Sequence, residues 1–440
     1  TKDKPMRDVL KEVKKDKDGN IDRDNPFGAL IKARGQSEYI GSDGKPHQSL
    51  INKTREEGDW SEWSDKLSSQ FLGKQNIGLI KQQVKLAIAD KQSEFDDIMA
   101  LTNPTVKKNL LESFANDCDS VSVHLDAAAL PRQKYHVILP LTSISDKEVY
   151  APGYKNGETV ALVRFPHGGT FEIPILKVNN KIQEGQNVIG NAAKDAIGIS
   201  SHTAGILSGA DFDGDTVMVI PCNSEHSKIK ISSKPPLKAL EGFEPKDIYG
   251  STSVTTDSKG NKHYIRNGAE YKIMKNTQTE MGIISNLITD MTLKGATEDE
   301  LARAVKHSMV VIDAEKHKLD YKSSYADNAI ASLKKKYQGA TEADGKYHEG
   351  AGTLLSRAKS KKMVLKRVGT PKIDPETGEL IYKEVTETFV DKKTGKTRIR
   401  EQESTKMAET RDAHTLSSGN PKEEVYADYA NTMKAMANQA

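Results

Sequence analysis

The sequence predicts an α+β chain: a small β-barrel or sandwich flanked by helical regions, with a C-terminal pair of charged β-hairpins and helices. Three observations carry this. Short β-rich runs broken by Gly and Pro crowd between Val121 and about residue 225; amphipathic stretches lie on both sides; and two charged, turn-like segments recur within 374–397.

Taken in order, residues 1–60 are polar and turn-rich, holding DKDGNIDRDNP (16–26) and IGSDGKP (40–46), and are expected to wrap a surface. Trp60 and Trp63 follow; helix packing is the ordinary use of such rings and base stacking the alternative. Between Ile77 and Leu101, Ile80, Val84, Ala87, Ile88, Phe95, Ile98 and Met99 recur at helical spacing, predicting one or two amphipathic helices before Pro104. From Val121 the pattern changes to YHVILPLTSI (135–144), TVALVRFP (159–166), TFEIPILKV (170–178), AIGIS (196–200) and TVMVIP (216–221). Pro140 and Pro174 are expected at strand ends, bulges or edges.

A lysine-rich connector leads back to helices. Thr297-x-x-Glu300 reads as a capping box ahead of a face formed by Leu301, Ala304, Val305, Met309 and Ile312. DPETGEL (374–380) and DKKTGKT (391–397) read as turns between charged strands. A last helix starts at Asn420 with Pro421 in its first turn and Glu423 behind it, and runs through Val425, Tyr429, Met433 and Met436. The expected division is 1–120, a polar segment with a helical connector; 121–225, the β unit; 226–345, connector and helices; and 346–440, a basic segment, hairpins and the last helix.

At 440 residues the chain has room for two or three compact units. Mean hydropathy is −0.63 and no apolar run is long enough to cross a bilayer, so no membrane partner is expected. The first residues are too charged for a signal peptide. A reducing, cytoplasmic location is expected. Cys118 and Cys222 are the only cysteines, far apart and without a C-x-x-C neighbour, which excludes zinc and disulfide frameworks. Thr1 in place of a start methionine, and a periodic stretch still running at Ala440, suggest a piece of a longer polypeptide. The 65 basic and 62 acidic residues nearly cancel, so any polyanion contact must come from local clustering. Arg357, Lys359, Lys361, Lys362, Lys366 and Arg367 form such a cluster, suited to phosphates.

The chemistry concentrates in GADFDGDTVMVIP (209–221). On an extended backbone Asp211, Asp213 and Asp215 point to one side, and Gly214 lets the chain bend. Three crowded carboxylates repel one another unless a cation intervenes, and an open carboxylate loop suits Mg²⁺ with its retained waters and phosphate ligands. The ordinary reading of Asp213-Gly214 is a solvated hairpin turn. A calcium loop fails, because counting from Asp211 puts Thr216 where glycine is required and Cys222 where the bidentate glutamate belongs; the earlier Asp16-x-Asp18-Gly19-Asn20 fails likewise at Ile21 and Phe27.

Together, VALVRFPHGG (160–169), AIGIS and SGADFDGD resemble the second double-psi β-barrel of two-barrel RNA polymerases. Arg164 and Pro166 match the R-x-P part of the multisubunit N-R-A-P element, and Ala210 to Asp215 match A-D-F-D-G-D. Gly209 stands where those enzymes have asparagine, and Ser208-Gly209 instead resembles the S-G-x-D-x-D-G-D form of RNA-silencing RNA-dependent polymerases. MGIISNLITD (281–290) and LARAVKHSMVVIDAEKHKLD (301–320) are similar to that branch's downstream helices. Overall the pattern is most similar to single-chain polymerases of phages and mobile elements.

The resemblance implies a double-psi barrel and a nucleotidyltransferase joining ribonucleoside triphosphates on a DNA or RNA template. It implies catalytic Mg²⁺ on Asp211, Asp213 and Asp215, a second Mg²⁺ arriving with the nucleotide, and Arg164 at the nucleotide sugar, where a strand-end salt bridge is the plain alternative. Lys359, Lys361, Lys362, Lys366 and Arg367 are candidate nucleic-acid contacts. His167 carries no family role, since the family histidine is spaced differently, and Gly168-Gly169 reads as a tight turn. Asp313 and Lys316 read as a surface ion pair. The family's lysine-bearing first barrel has no counterpart here, so the chain is expected to be inactive alone and to need that barrel from a preceding segment or another chain. A catalytically silent barrel serving nucleic-acid binding or assembly, and a metal-dependent nuclease, are the alternatives.

Overall fold

The computed structural model describes residues 38–41, 43–48, 66–165, 167–207, 210, 212, 214–225, 228–341, 347–348, 350–358, 364, 366–367, 370–373, 375, 380–381, 387–390, 397–400 and 405–440. The expectations for DKDGNIDRDNP, Trp60 and Trp63 lie outside these residues.

In chain order the elements are helices α1 (Ile77–Ala100) and α2 (Pro104–His124) and strands β1 (Lys134–Pro140), β2 (Glu148–Val149), β3 (Thr159–Val163) and β4 (Ile175–Val178). Helix α3 (Gln183–Val188), strand β5 (Ala196–Ile199), helix α4 (Ser201–Ile206) and strand β6 (Thr216–Pro221) follow. Next come β7 (Ser253–Thr256), β8 (Lys262–Arg266), β9 (Ala269–Tyr271), α5 (Thr277–Leu293) and α6 (Glu298–His317). The end holds β10 (Lys372–Ile373), β11 (Leu380–Ile381), β12 (Glu387–Val390), β13 (Thr397–Arg400) and α7 (Pro421–Gln439).

Two compact units result, one of Thr1–Lys66 with Ala129–Lys336, the other of Leu67–Ala128 with Tyr337–Ala440. The first is built on a six-stranded sheet in the order β2-β4-β3-β6-β1-β5, with parallel pairs at β1–β5 and β2–β4 and antiparallel pairs elsewhere. Its two edges meet beyond β2, where Tyr150 and Gly198 exchange N–H···O bonds of 2.9 and 2.8 Å. The sheet is thus a nearly closed barrel. Closure removes the free edges that would otherwise invite pairing with another chain.

Strand β6 explains why its sequence is apolar without alternation. Val217 and Val219 enter the barrel core with Ile138, Leu162, Ile197 and Phe212, while Met218 and Ile220 are buried on the other face. Strands buried on both faces read as continuous apolar runs. Pro140 ends β1, and Pro174 precedes β4 while its carbonyl accepts from Leu162, both as expected of strand-end prolines. The run from Thr170 is only partly strand, since Thr170–Glu172 forms a 3₁₀ turn before β4 begins.

Helix α6 carries the expected capping box, with the Thr297 hydroxyl and Glu300 carboxylate serving each other's backbone amides. Its buried stripe is rotated from the predicted one. Ala302, Ala304, Val305, His307, Val310, Val311 and Ala314 face inward, whereas Ile312 is 38% exposed. Small Ala304 and Ala314 let α6 approach its neighbours closely, so shape overrides the bulkier apolar positions.

In the second unit α7 packs against α1 and α2, burying Tyr426, Tyr429 and Met433. The single helix α1 fills the predicted amphipathic stretch. Helix α2 is a departure: it runs past Val121, where strands were expected, to His124, because Val121 and Val123 are buried in its own packing and Leu125 caps it in the left-handed region. Asn420 caps α7 as predicted, and Glu423, fully buried, accepts from the backbone amides of Leu354 and Ser418. The pairs β10–β11 and β12–β13 are antiparallel, as expected of the charged hairpins.

The fold yields two predictions. Glu184, at the start of α3, accepts from the amides and hydroxyls of both Thr142 and Ser143, which follow β1. Partial burial works against its charge, but these donors outweigh it and hold the carboxyl at about 2, below the ordinary 4.5. A carboxyl depressed on folding stabilises above its unfolded value and loses that contribution as pH falls through its folded value. Glu184→Gln is therefore expected to cost about 1 kcal/mol near neutrality, with the gap from wild type closing between 4.5 and about 2 in urea titrations across pH. Second, Phe212→Ala should destabilise by about 3–5 kcal/mol, since the ring is 1% exposed inside the barrel. Phe212→Leu should cost far less, as read from the urea midpoint.

Candidate functional site

Strands β3 and β6 run antiparallel with Val163 opposite Met218. That register brings Arg164, the first residue past β3, beside the entry to β6. Arg164 Nη2 lies 3.0 Å from Asp215 Oδ2, with side chains 17% and 22% exposed. Both are screened from bulk water on most sides, so this contact is stronger than a surface ion pair. The R-x-P and D-F-D-G-D segments thus meet through their described members.

The acidic loop is tied to the barrel at several points. Phe212 is buried in the core, Ala210 donates to the Leu207 carbonyl at 3.0 Å, and the Asp215 carbonyl accepts from Ile138 of β1 at 3.0 Å. Gly214 takes φ +115°, a conformation that side-chain-bearing residues avoid, so the bend just before Asp215 depends on glycine. Asp211 and Asp213 lie outside the described residues, as do Ser208, Gly209 and Pro166. Among the described residues no group of three or more His, Cys, Asp or Glu side chains gathers as a metal centre. The loop's donor set is all carboxylate oxygen, the chemistry Mg²⁺ prefers. Cys222, just past β6, adds no competing thiolate, because burial pushes its thiol up to about 12.

A narrow cleft adjoins Arg164. His167, Gly168 and Glu172 line it from the barrel side, and Met281, Ser285, Ile288, Met309 and Ile312 from α5 and α6. The two helical segments singled out in the sequence therefore flank the arginine, and Met309 and Ile312, left out of the buried stripe of α6, face this cleft. Gly168 departs from the expected turn role. Its amide donates to the Glu172 carboxylate, and a Cβ there would come within 2.8 Å of Val305 Cγ2, so the glycine serves close packing against α6.

Glu172, 5% exposed, was not singled out by sequence reasoning. The available signal was an acid held between Phe171 and Ile173 in an apolar run. Asp313 lies 4.0 Å from His317, one turn along the exposed side of α6.

Lys359, Lys361 and Lys362 lie outside the described residues, and Lys366 is exposed. Arg367 is committed within its own unit. Its guanidinium pairs with Asp119, Nη2 lying 2.9 Å from Oδ1, and donates to the Ala437 carbonyl at 3.1 Å, while its amide donates to Asn116.

Among the described residues no helix is long and apolar enough to cross a membrane. No family model matches the sequence, and no curated protein does. Among solved structures, the chain is similar to the RNA dependent RNA polymerase QDE-1 from Thielavia terrestris, with a TM-score of 0.36 and 12% identity over 61% of this chain. The match spans 37% of that polymerase.

Proposed function

We propose that this chain is the catalytic-aspartate part of an RNA polymerase, joining ribonucleoside triphosphates on a nucleic-acid template. The observation that carries the reading is the 3.0 Å contact between Arg164 and Asp215. Two segments distant in sequence, which together resemble one double-psi barrel family, have described members in contact at adjacent strand ends. The contact has the form of the strand-end salt bridge that is the plain alternative for Arg164, and what favours the functional reading is that its partner is an aspartate of the acidic motif.

On this reading Asp211, Asp213 and Asp215 hold Mg²⁺, which when bound lowers the pKa of the growing strand's 3′-OH and neutralises charge at the α-phosphate. Arg164 keeps the Asp215 carboxylate oriented and stands ready for the sugar of the incoming nucleotide. Gly214 sets the bend that presents the loop, and Phe212 fixes it on the barrel so that the carboxylates need not reorganise when substrate arrives. The opposing lysines come from a first barrel supplied by another segment or chain.

The test is template-directed incorporation of labelled nucleotides by the polypeptide that unites this chain with a lysine-bearing barrel. Asp213→Ala is expected to lower incorporation about a thousandfold or more, equivalent to about 4 kcal/mol of transition-state stabilisation, with the circular dichroism spectrum unchanged. EDTA should have the same effect. Undiminished incorporation by Asp213→Ala overturns the mechanism. So does degradation of labelled RNA or DNA with Mg²⁺ and no nucleotides, which would make the chain a nuclease.

A further inference from the structure

The barrel carries a second cavity, with cationic side chains at its wall, that the acidic loop does not explain. It lies at the start of β1, where Lys134 pairs with Val219; Asp215 is four residues back along β6, about 13 Å at strand rise. The cavity has a volume of about 200 Å³ and is lined by Arg132, Lys134, His136, Gly153, Tyr154 and Lys194, together with one proline. Three of these side chains carry positive charge, and among the described residues no carboxylate lines the space.

The cations are held in different ways. Arg132 forks onto Glu158, with Nη1 2.6 Å from Oε1 and Nη2 3.2 Å from Oε2, and lies 5.4 Å from the Tyr154 ring centre. Its backbone sits at φ 61°, a strained conformation for a residue with a side chain, and the Tyr154 hydroxyl donates to its carbonyl at 3.2 Å. Strain maintained by specific partners marks positions where the surroundings impose a geometry. Lys194 Nζ donates to the carbonyl of Ile40 at 2.6 Å. Lys134 is exposed, and its side chain makes no ion pair among the described residues. His136 donates from Nδ1 to the Lys134 carbonyl, and burial brings it down to about 4, so the imidazole is a neutral wall near pH 7.

We propose that this cavity binds phosphoryl oxyanions, taking a diphosphate or the terminal phosphate of a nucleotide or nucleic-acid strand. Convergent cations without a lining acid favour a multiply charged, compact anion. The volume falls below the roughly 300–1,000 Å³ of pockets that enclose a drug-sized ligand, so the phosphate end enters and any nucleoside stays outside. The site is separate from the acidic loop and does not rest on the polymerase reading.

The experiment is calorimetric titration of the full chain with inorganic pyrophosphate at low salt, with EDTA present so that the acidic loop cannot hold pyrophosphate through a metal. One-to-one saturation is expected, weakened by added salt. Lys134→Glu, on an exposed side chain, should weaken binding about tenfold or more. Gly153→Leu should abolish it, since a Cβ there has no neighbour closer than 3.8 Å and the rest of the side chain would fill the space. Competition by ADP, or by a 5′-phosphorylated but not a 5′-hydroxyl oligonucleotide, would name the source of the phosphate, and either result supports the site. No saturable binding up to about 10 mM pyrophosphate, or affinity unchanged in both variants, overturns it. Should Gly153→Leu prove unstable in thermal unfolding, Lys134→Glu decides alone.

Discussion

The antiparallel pairing of Thr159–Val163 with Thr216–Pro221 is the constraint on which the site depends. Its register sets Val163 against Met218 and so delivers Arg164 to Asp215. A slip of one residue would turn every side chain of β6 to the opposite face, taking Val217 and Val219 out of the barrel core. Because Met218 and Ile220 are buried on the far face as well, burial alone specifies the register weakly. The neighbours supply the rest: Ile138 on β1 bonds the Asp215 carbonyl on one side, and Leu162 on β3 faces Val219 on the other.

Barrel closure and the acidic loop are coupled through the same core. Tyr150 and Gly198 join the sheet edges, while Phe212 contributes its ring to the enclosed cluster from between two aspartates in sequence. Three carboxylates within five residues would push a free loop outward. A phenylalanine buried among them resists that push with hydrophobic free energy of about 2–3 kcal/mol, and Arg164 offsets part of the charge. Among the described residues the loop is thus retained by the burial of Phe212, the backbone bonds of Ala210 and Asp215, and the Arg164 guanidinium.

Much of the secondary structure was legible in the sequence because its signals are local. Strand runs, Pro140 and Pro174 at strand ends, the Thr297–Glu300 box and the Asn420 cap each depend on residues a few positions apart. What was not legible depends on packing partners far away in the chain. The buried stripe of α6 is chosen by the shape of what it packs on, so Ala304 goes in while Ile312 turns to the cleft. Glu423, legible only as an acid in the first turn of α7, gives its carboxylate to the amides of Leu354 and Ser418. Arg367, read within a basic run, is taken by Asp119, almost 250 residues earlier in the chain. The assembly of the second unit is of this kind, since it joins Leu67–Ala128 to Tyr337–Ala440 and no local signal records that pairing.

Within the barrel unit two devices make up for the weak register at β6. The Tyr150–Gly198 bonds fix which residues of the sheet edges meet, and Glu184 ties α3 to Thr142 and Ser143 just past β1. A weak register can be tolerated because closure and this clamp each remove alternatives that side-chain burial on β6 leaves open.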